Sequence, residues 1–393
     1  MAIKAKDISC DIVVVGAGLV GLAAVIALAA QGKRVVLVDS KRNDAGQTKA
    51  WDTRIYALTP ATENWLQSLG VWSLVDQARV NDVEAMALWN PESETPLHLS
   101  AEDANLTKLA CIIENNNLLQ ALWQKVETLD VQIVIGSPCS RVDYADDSVV
   151  LSLENGVSIK ATLLVAADGA NSFVRQQLAI ATKTKDFNQA AIVVNYLAEQ
   201  SHGDVARQWF AAHSTLALLP LPDKHVSMVW SVSTGLAGEL LGLSGLQLSE
   251  RVKMASHDVL GVLKPVSEAL SFTLRQTTAD SLIGERVVLV GDAAHQVHPM
   301  AGQGANLGFR DVIALQALIA GSHHMDDIGE EVFLRQYERV RRADILSMNM
   351  LTSGLDSWFS KESDVLKKMT VWGMRQLDKH RIFKKILVKQ AVS

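Results

Sequence analysis

Apolar and polar positions along this chain follow two rhythms. Up to about residue 180, and again near residue 290, short β-branched runs that read as buried strands alternate with helical stretches. Asp11–Val15 (DIVVV) and Arg34–Val38 flank a helical stretch, Leu22–Gln31. A helix is expected over Thr62–Leu69 and another over Leu118–Thr128, with strands at Val131–Ile135, Val149–Leu153 and Ala161–Ala166. Residues 81–100 alternate loosely and read as a hairpin leaving this first unit. From Ile180 to Ser281 the rhythm changes: Ala191–Tyr196, Leu216–Leu219, Val226–Ser233 and Leu270–Leu274 read as an antiparallel sheet lining an apolar pocket, with a helical excursion over Leu236–Leu263. The aromatics spread through this region are better read as core than as ligand contacts. The strand Val287–Val290 then breaks at Gly291-Asp292 into a small-residue loop, followed by a helix from about Asn306 to Leu318 and an amphipathic helix over Glu330–Asp344.

These patterns predict an α/β protein: a Rossmann-like nucleotide domain, an interleaved α+β domain built on an antiparallel sheet, and a C-terminal helical region. The boundaries are 1–80, 101–180 and 282–320 for the discontinuous nucleotide domain, 81–100 and 181–281 for the sheet domain, and 321–393 for the helical region. At 393 residues the chain can bury more than one core. Its net charge of −6 argues against nucleic acid as a partner. That charge is uneven: nine Lys/Arg against three acids in Lys361–Ser393 leave +6 there and −12 elsewhere. The apolar, basic tail suits either packing on the chain's own body or a peripheral surface for anionic membrane or partner subunits. Cys10, Cys111 and Cys139 have no metal or redox spacing, and no signal peptide or spanning segment is read, so a reduced cytoplasmic setting is expected, peripheral at the inner face of the cell membrane if the tail binds lipid.

Three stretches carry candidate chemistry. Gly16-Ala17-Gly18-Leu19-Val20-Gly21 lies between a strand and a helix, with Asp39 closing the next strand. In such a unit Gly16 makes the tight turn, Gly18 lets backbone approach a pyrophosphate, Gly21 lets the helix pack on the strand, and Asp39 accepts from ribose hydroxyls. Arg54, in Asp52-Thr53-Arg54-Ile55-Tyr56-Ala57-Leu58, is placed to neutralise pyrophosphate charge or else to begin a surface helix. Asn115 and its neighbours Asn116 and Asn117 either cap the helix that follows or face a ribityl chain. Asp168-Gly169 ends a strand, and Ser172 and Arg175 share the helix face that follows, so that Asp168 and Arg175 are expected to cluster. Gly291, Asp292, Gly302, Gly304, Ala305 and Asn306 form the third stretch, whose small residues and helix N-terminus favour a negatively charged ligand. His295 and His298 are rejected as metal ligands for want of a third, as is the pair His323-His324.

Together, G16-A-G-L-V-G21 with Asp39, D168-G-A-N-S-F-V-R175 and G291–D311 resemble the single-component aromatic-ring flavin hydroxylases related to p-hydroxybenzoate hydroxylase. The run H298-P-M-A-G-Q-G-A-N-L-G-F-R-D311 is similar to the signature of the ubiquinone-biosynthesis FAD monooxygenases, departing at Met300, where a smaller aliphatic residue is usual. The resemblance implies FAD as cofactor, NADH or NADPH as reductant and O₂ as co-substrate. A C4a-hydroperoxide would hydroxylate the ring of a polyprenylated phenol or quinol, within a set of ubiquinone-biosynthesis partner subunits. Asp292 would then bind the ribityl hydroxyls, and the amides near Gly304, Ala305 and Asn306 would face the flavin N1–C2=O edge. Asp168 would help bind FAD and engage NAD(P)H, and Pro299 would lie beside the reactive edge. His295 and His298 are candidates for the phenol base, each equally readable as a structural turn histidine. The rival readings are a related hydroxylase of a soluble phenol, a flavin reductase of lipid chains, and a non-catalytic subunit.

Overall fold

The computed structural model describes residues 7–42, 50–90, 95–211, 214–296, 304–323 and 326–360, with only the backbone over 349–360. The chain begins β1 (Asp7–Val15), α1 (Leu19–Ala29), β2 (Val35–Asp39), β3 (Ile55–Leu58), α2 (Pro60–Ser68), β4 (Val80–Val83), β5 (Ala85–Trp89), β6 (Leu97–Ser100), β7 (Ala110–Glu114) and α3 (Asn115–Glu127). It continues through β8 (Gln132–Ile135), β9 (Cys139–Ala145), β10 (Ser148–Leu153), β11 (Ser158–Ala166), α4 (Phe173–Gln177), β12 (Thr182–Ala198), β13 (Val205–Ala211), β14 (Ser214–Pro220) and β15 (His225–Ser233). It ends α5 (Thr234–Leu241), α6 (Gly245–Ala255), β16 (Leu263–Pro265), β17 (Leu270–Ala279), β18 (Ile283–Gly284), β19 (Val287–Leu289), β20 (His295–Gln296), α7 (Gly304–Ala320) and α8 (Glu331–Ser360).

The first rhythm builds an eight-stranded sheet in the order β18-β19-β11-β1-β2-β8, with β10 also beside β11 and β9 beside β10. β1 pairs in parallel with β2 and β11, and β11 in parallel with β19. Residues Ile12 to Val15 and Leu163 to Ala166 are almost wholly buried, as strands covered on both faces must be. α1 lies on this sheet and is apolar nearly all round, because α3 and α7 enclose it as well.

The second rhythm builds a nine-stranded sheet in the order β20-β17-β12-β15-β14-β13-β5-β6, with β16 beside β12. All its pairings are antiparallel except β5 with β13. β20 lies inside the 282–320 stretch assigned from sequence to the nucleotide domain, yet it pairs with β17. The expected 81–100 hairpin divides in the same way. β5–β6 is a hairpin of the large sheet, whereas β4 joins β3 and β7 in a separate three-stranded sheet. The helical excursion is two helices, α5 and α6, packed on one face of the large sheet.

Tyr196, Trp209 and Trp230 are buried in that helix-covered face, as expected of core aromatics. Among the described residues no helix is long and apolar enough to cross a membrane. His298, Pro299, Met300, Gly302 and His324, and the basic tail 361–393, lie outside the described residues.

Candidate active site

Three loops leave the C-terminal ends of the adjacent parallel strands β1, β11 and β19, the edge at which ligands bind in open α/β sheets. They are 16–18, 167–169 and 291–294, and they touch one another. Gly16 has φ +107°, and a Cβ there would lie 2.3 Å from the Ala167 carbonyl oxygen. A Cβ on Gly21 would lie 1.9 Å from the Gly16 carbonyl oxygen, so α1 approaches its strand as closely as backbone allows. Gly18 faces open space at the N-terminus of α1. The Ala17 N–H donates to Asp39 Oδ2 at 2.6 Å, so Asp39 also shapes the glycine loop. Val20 of α1 meets Gly291 (φ +59°) and Gly308 of α7, which seats the third loop against the first.

Arg175 locks the second loop to the third. Its buried guanidinium donates to the Ala293 carbonyl at 2.8 Å and the Ala170 carbonyl at 2.7 Å. The expected cluster of Arg175 with Asp168 is therefore corrected: the guanidinium goes to backbone carbonyls. Asp168 instead accepts from Val174 N–H through Oδ2, while its buried Oδ1 meets no hydrogen-bond donor among the described residues. Burial raises its carboxyl above the usual range. Gly169 follows with φ +83° and open space at its Cα.

Arg54, Asn115 and Asp292 come together around Tyr56. The Tyr56 hydroxyl lies 3.4 Å from Asn115 Oδ1. Burial pushes this phenol up to about 12, with Arg54 opposing the shift and Asp292 and Asp52 adding to it. Asp292 is exposed, yet desolvation by the surrounding protein raises its carboxyl above the usual range. The asparagines do not cap α3 through their side chains. The cap position falls on Glu114, and Asn115 already lies within the helix.

At the N-terminus of α7, Gly304 faces open space and Ala305 is nearly buried. The Asn306 side chain is consumed internally, accepting from Thr59 N–H at 3.0 Å and donating to the Ala57 carbonyl at 2.8 Å, so only its backbone is free for a ligand. His295 is 3% exposed, with Nε2 2.7 Å from Asp311 Oδ2.

The large sheet supplies the facing wall. Ile192, Val194 and Tyr196 of β12 point to α5 and α6, so the alternate residues Ala191, Val193 and Asn195 face the nucleotide domain. Cross-strand pairing puts Phe272 and Leu270 on the same face as Ala191 and Val193. Phe272 lies 5.8 Å below the Arg54 guanidinium, and Asn195 Nδ2 donates to the Asp52 carbonyl at 2.8 Å. The 50–58 strap is anchored on its other side by Glu114, which accepts from Asp52 N–H, and by Arg79, whose guanidinium grips Glu114 at 2.6 and 2.7 Å and stacks over Trp51 at 4.5 Å. A groove of about 890 Å³ between α8 and β18–β19 is unrelated to this arrangement. Its Arg286, Arg335 and Arg342 are each paired with an acid.

These residues suit FAD. Backbone amides and glycines converge where a pyrophosphate would lie, a buried carboxylate oxygen at Asp168 lacks a donor that a cofactor hydroxyl would supply, and Gly304 leaves open space at the N-terminus of α7. Tyr56, Arg79, Asn195 and Asp311 are the site residues that motif spacing does not assign. Tyr56 and Asp311 lie within quoted motifs, whereas Arg79 and Asn195 acquire their roles only through tertiary contacts.

Comparison with known proteins agrees. Residues 9–349 match the family described as FAD binding domain. A ubiquinone hydroxylase (UbiL) of Rhodospirillum rubrum is 30% identical over 391 residues, covering 98% of this chain and 90% of the relative. The 3-demethoxyubiquinol 3-hydroxylase of Escherichia coli K12 is 31% identical over 389 residues, covering 97% and 98%. In fold, the chain is similar to p-nitrophenol 4-monooxygenase PnpA of Pseudomonas putida DLL-E4, with TM-score 0.78, 19% identity and 98% of each chain covered.

Proposed function

Since the chain belongs to the FAD-binding-domain family and is a flavin-dependent monooxygenase, we propose that it hydroxylates the aromatic ring of a polyprenylated phenol or quinol in ubiquinone biosynthesis. The observation that carries this reading is the strap carrying Arg54, which meets the apolar sheet face at Phe272 and, around Tyr56, the strand-end loop of Asp292. Both curated relatives described above act, by name, on ubiquinone-pathway compounds and are matched over nearly their whole length.

Bound FAD would supply the redox chemistry, with NADH or NADPH as reductant and O₂ as co-substrate. The protein does the rest. Asp292 and Asp168 would hold cofactor hydroxyls, with Asn115 and Arg54 at the entry of the strap. Gly16, Gly18 and the N-terminus of α1 would accept the pyrophosphate, with Asp39 at the ribose. The amides of Gly304 to Asn306 would stabilise negative charge developing on the flavin. Ala191, Val193, Leu270 and Phe272 would exclude water and receive the prenylated ring. His295 acts in this reading as a structural group, because Asp311 already engages its Nε2. His298 and Pro299 remain proposed neighbours of the reacting ring. The basic tail would bring the enzyme to an anionic membrane carrying its lipid substrate.

The test is turnover of the purified holoenzyme with NADH or NADPH, ¹⁸O₂ and prenylated phenols in detergent, beside mass identification of the precursor that accumulates when the gene is deleted. One ¹⁸O atom in a prenylated product, and an accumulating precursor lacking that hydroxyl, are expected. Turnover confined to a soluble phenol would favour the rival hydroxylase. Reduction of a substrate without ¹⁸O incorporation would refute the assignment.

A further inference from the structure

We propose that Arg341, on α8, is a positioning residue for the loop 291–296, acting through Asp311, so that FAD binding and the docking of α8 are energetically coupled. The inference rests on the reading that this loop meets the cofactor.

Asp311 lies in α7 and is fully buried. Its Oδ2 accepts from Gly291 N–H at 2.8 Å and from His295 Nε2 at 2.7 Å, so one carboxylate oxygen holds both the start of the loop and its end. Its Oδ1 accepts from Arg341 Nε at 2.6 Å. Burial by itself would raise this carboxyl. Its contacts with His295, Arg341 and the Gly291 amide outweigh burial and hold it below the usual range. A charged carboxylate with no exposure needs these donors, and losing any one leaves a buried charge short of partners.

Arg341 is held as firmly as Asp311. Its side chain is 3% exposed, and its remaining nitrogens reach Asp344 and the Leu307 carbonyl. One turn earlier on α8, the Tyr337 hydroxyl donates to the Leu289 carbonyl at 2.9 Å, at the end of the strand from which the loop departs. α8 therefore grips the chain at residue 289, just ahead of the loop, and at residue 311, beyond it. The loop has little freedom to adjust independently. Gly291 sits in the left-handed region, and its Cα lies 3.3 Å from where a Cβ on Gly308 would be. A shift of α8 that withdraws Arg341 would weaken the carboxylate holding Gly291 and His295. By reciprocity, a ligand that fixes the loop must tighten α8 by the same factor.

Hydrogen–deuterium exchange of the full-length protein with and without FAD tests this, together with FAD affinity, in wild type, Arg341→Lys and Arg341→Met. Arg335→Ala, which breaks an exposed pair on α8, serves as the control. FAD is expected to slow exchange both in peptides spanning 289–296 and in α8 over 333–346 of the wild type and the control. Arg341→Met should keep the first effect, lose the second, and weaken FAD binding by about 10–100-fold, within the usual range of coupling between sites. Arg341→Lys should recover part of the loss, since it keeps the charge without the planar fork. If Arg341 were only a stabilising contact, Arg341→Met would raise exchange across α8 but leave its FAD-dependent slowing in place. Protection of the loop with no FAD-dependent change in α8 would overturn the coupling while sparing the loop assignment, as would wild-type FAD affinity in Arg341→Met. Protection of neither region would overturn both. If Arg341→Met does not fold, the wild-type exchange and the Lys variant decide.

Discussion

Arg79→Ala removes the partner of a carboxylate that has almost no other access to charge compensation. Glu114 is 2% exposed in its side chain and Arg79 is 25% exposed. The two are joined by a bidentate pair at 2.6 and 2.7 Å, and the only other donor to Glu114 among the described residues is the Asp52 amide. Stranding a buried charge in this way costs about 3–5 kcal/mol, and the water that reaches the Arg79 side of the pair places the expectation near the lower end, ~3 kcal/mol. Glu114→Gln is the milder change at roughly 1–2 kcal/mol, because the amide oxygen still accepts from Asp52 and the guanidinium keeps the Ala50 carbonyl and the Trp51 ring. The double variant should fall short of the sum by roughly 1–2 kcal/mol, since a neutral amide in place of the Glu114 carboxylate no longer needs the arginine. Urea unfolding of the apoprotein, followed by tryptophan fluorescence, measures all three without the stabilising effect of bound FAD. Arg79→Ala should also weaken FAD binding, because Glu114 and Arg79 anchor the strap that carries Arg54. The reasoning is refuted if Arg79→Ala costs under ~1 kcal/mol, or if Glu114→Gln proves the more damaging of the two.

Gly21→Ala would put a Cβ 1.9 Å from the Gly16 carbonyl oxygen. FAD affinity, read from flavin fluorescence, should fall more than about tenfold as the loop shifts. Asp292→Ala should purify colourless, and unchanged yellow protein with unaltered FAD affinity would show that the 291–296 loop has been misplaced. Burial pushes Cys10 and Cys139 up to about 12 and Cys111 higher still, so native protein at pH 8 should leave Ellman's reagent almost unreacted and release three thiols after denaturation. The hydrogen bond from Arg286 holds Asp327 below the usual carboxylate range. Its stabilising contribution is therefore present above the unfolded-state value and disappears as pH falls through the folded one, and Asp327→Asn should flatten the acid limb of a stability–pH curve.

How much of this was legible in the sequence depended on the range of the interactions. β1, α1 and β2 show in the apolar runs and glycines because a parallel sheet covered on both faces needs continuous Val, Ile and Leu. The chain order of the three loops is likewise a local property of their motifs. β12 is different. Its apolar half was visible, but Thr182 to Gln189 are mostly exposed and polar, and the strand persists there only because β17 pairs with it across an irregularity between Asp186 and Gln189. β9 is mostly solvated and gives no apolar run to read. Pairing of β5 with β13, and of Arg341 with Asp311, joins residues far apart in the chain, and no local pattern announces such a meeting. The asparagines after Glu114 show the opposite failure. They are good capping residues by type, but the turn began one residue earlier.

The interleaving of the two large sheets has a consequence for biosynthesis. β5 must wait for β13, whose first paired residue lies about 120 positions later, an interval on the order of 6–24 s at ordinary elongation rates of about 5–20 residues per second. β11 likewise has no β19 beside it until Val287 has emerged. Throughout that time the ribosome displays apolar strands with unpaired edges, the form of chain most prone to adhere to its neighbours. Neither sheet can be cut out as one continuous piece, so truncations at apparent domain borders should yield insoluble protein. Yield should instead respond to whatever shields the growing chain, such as slower synthesis, lower temperature or added chaperones.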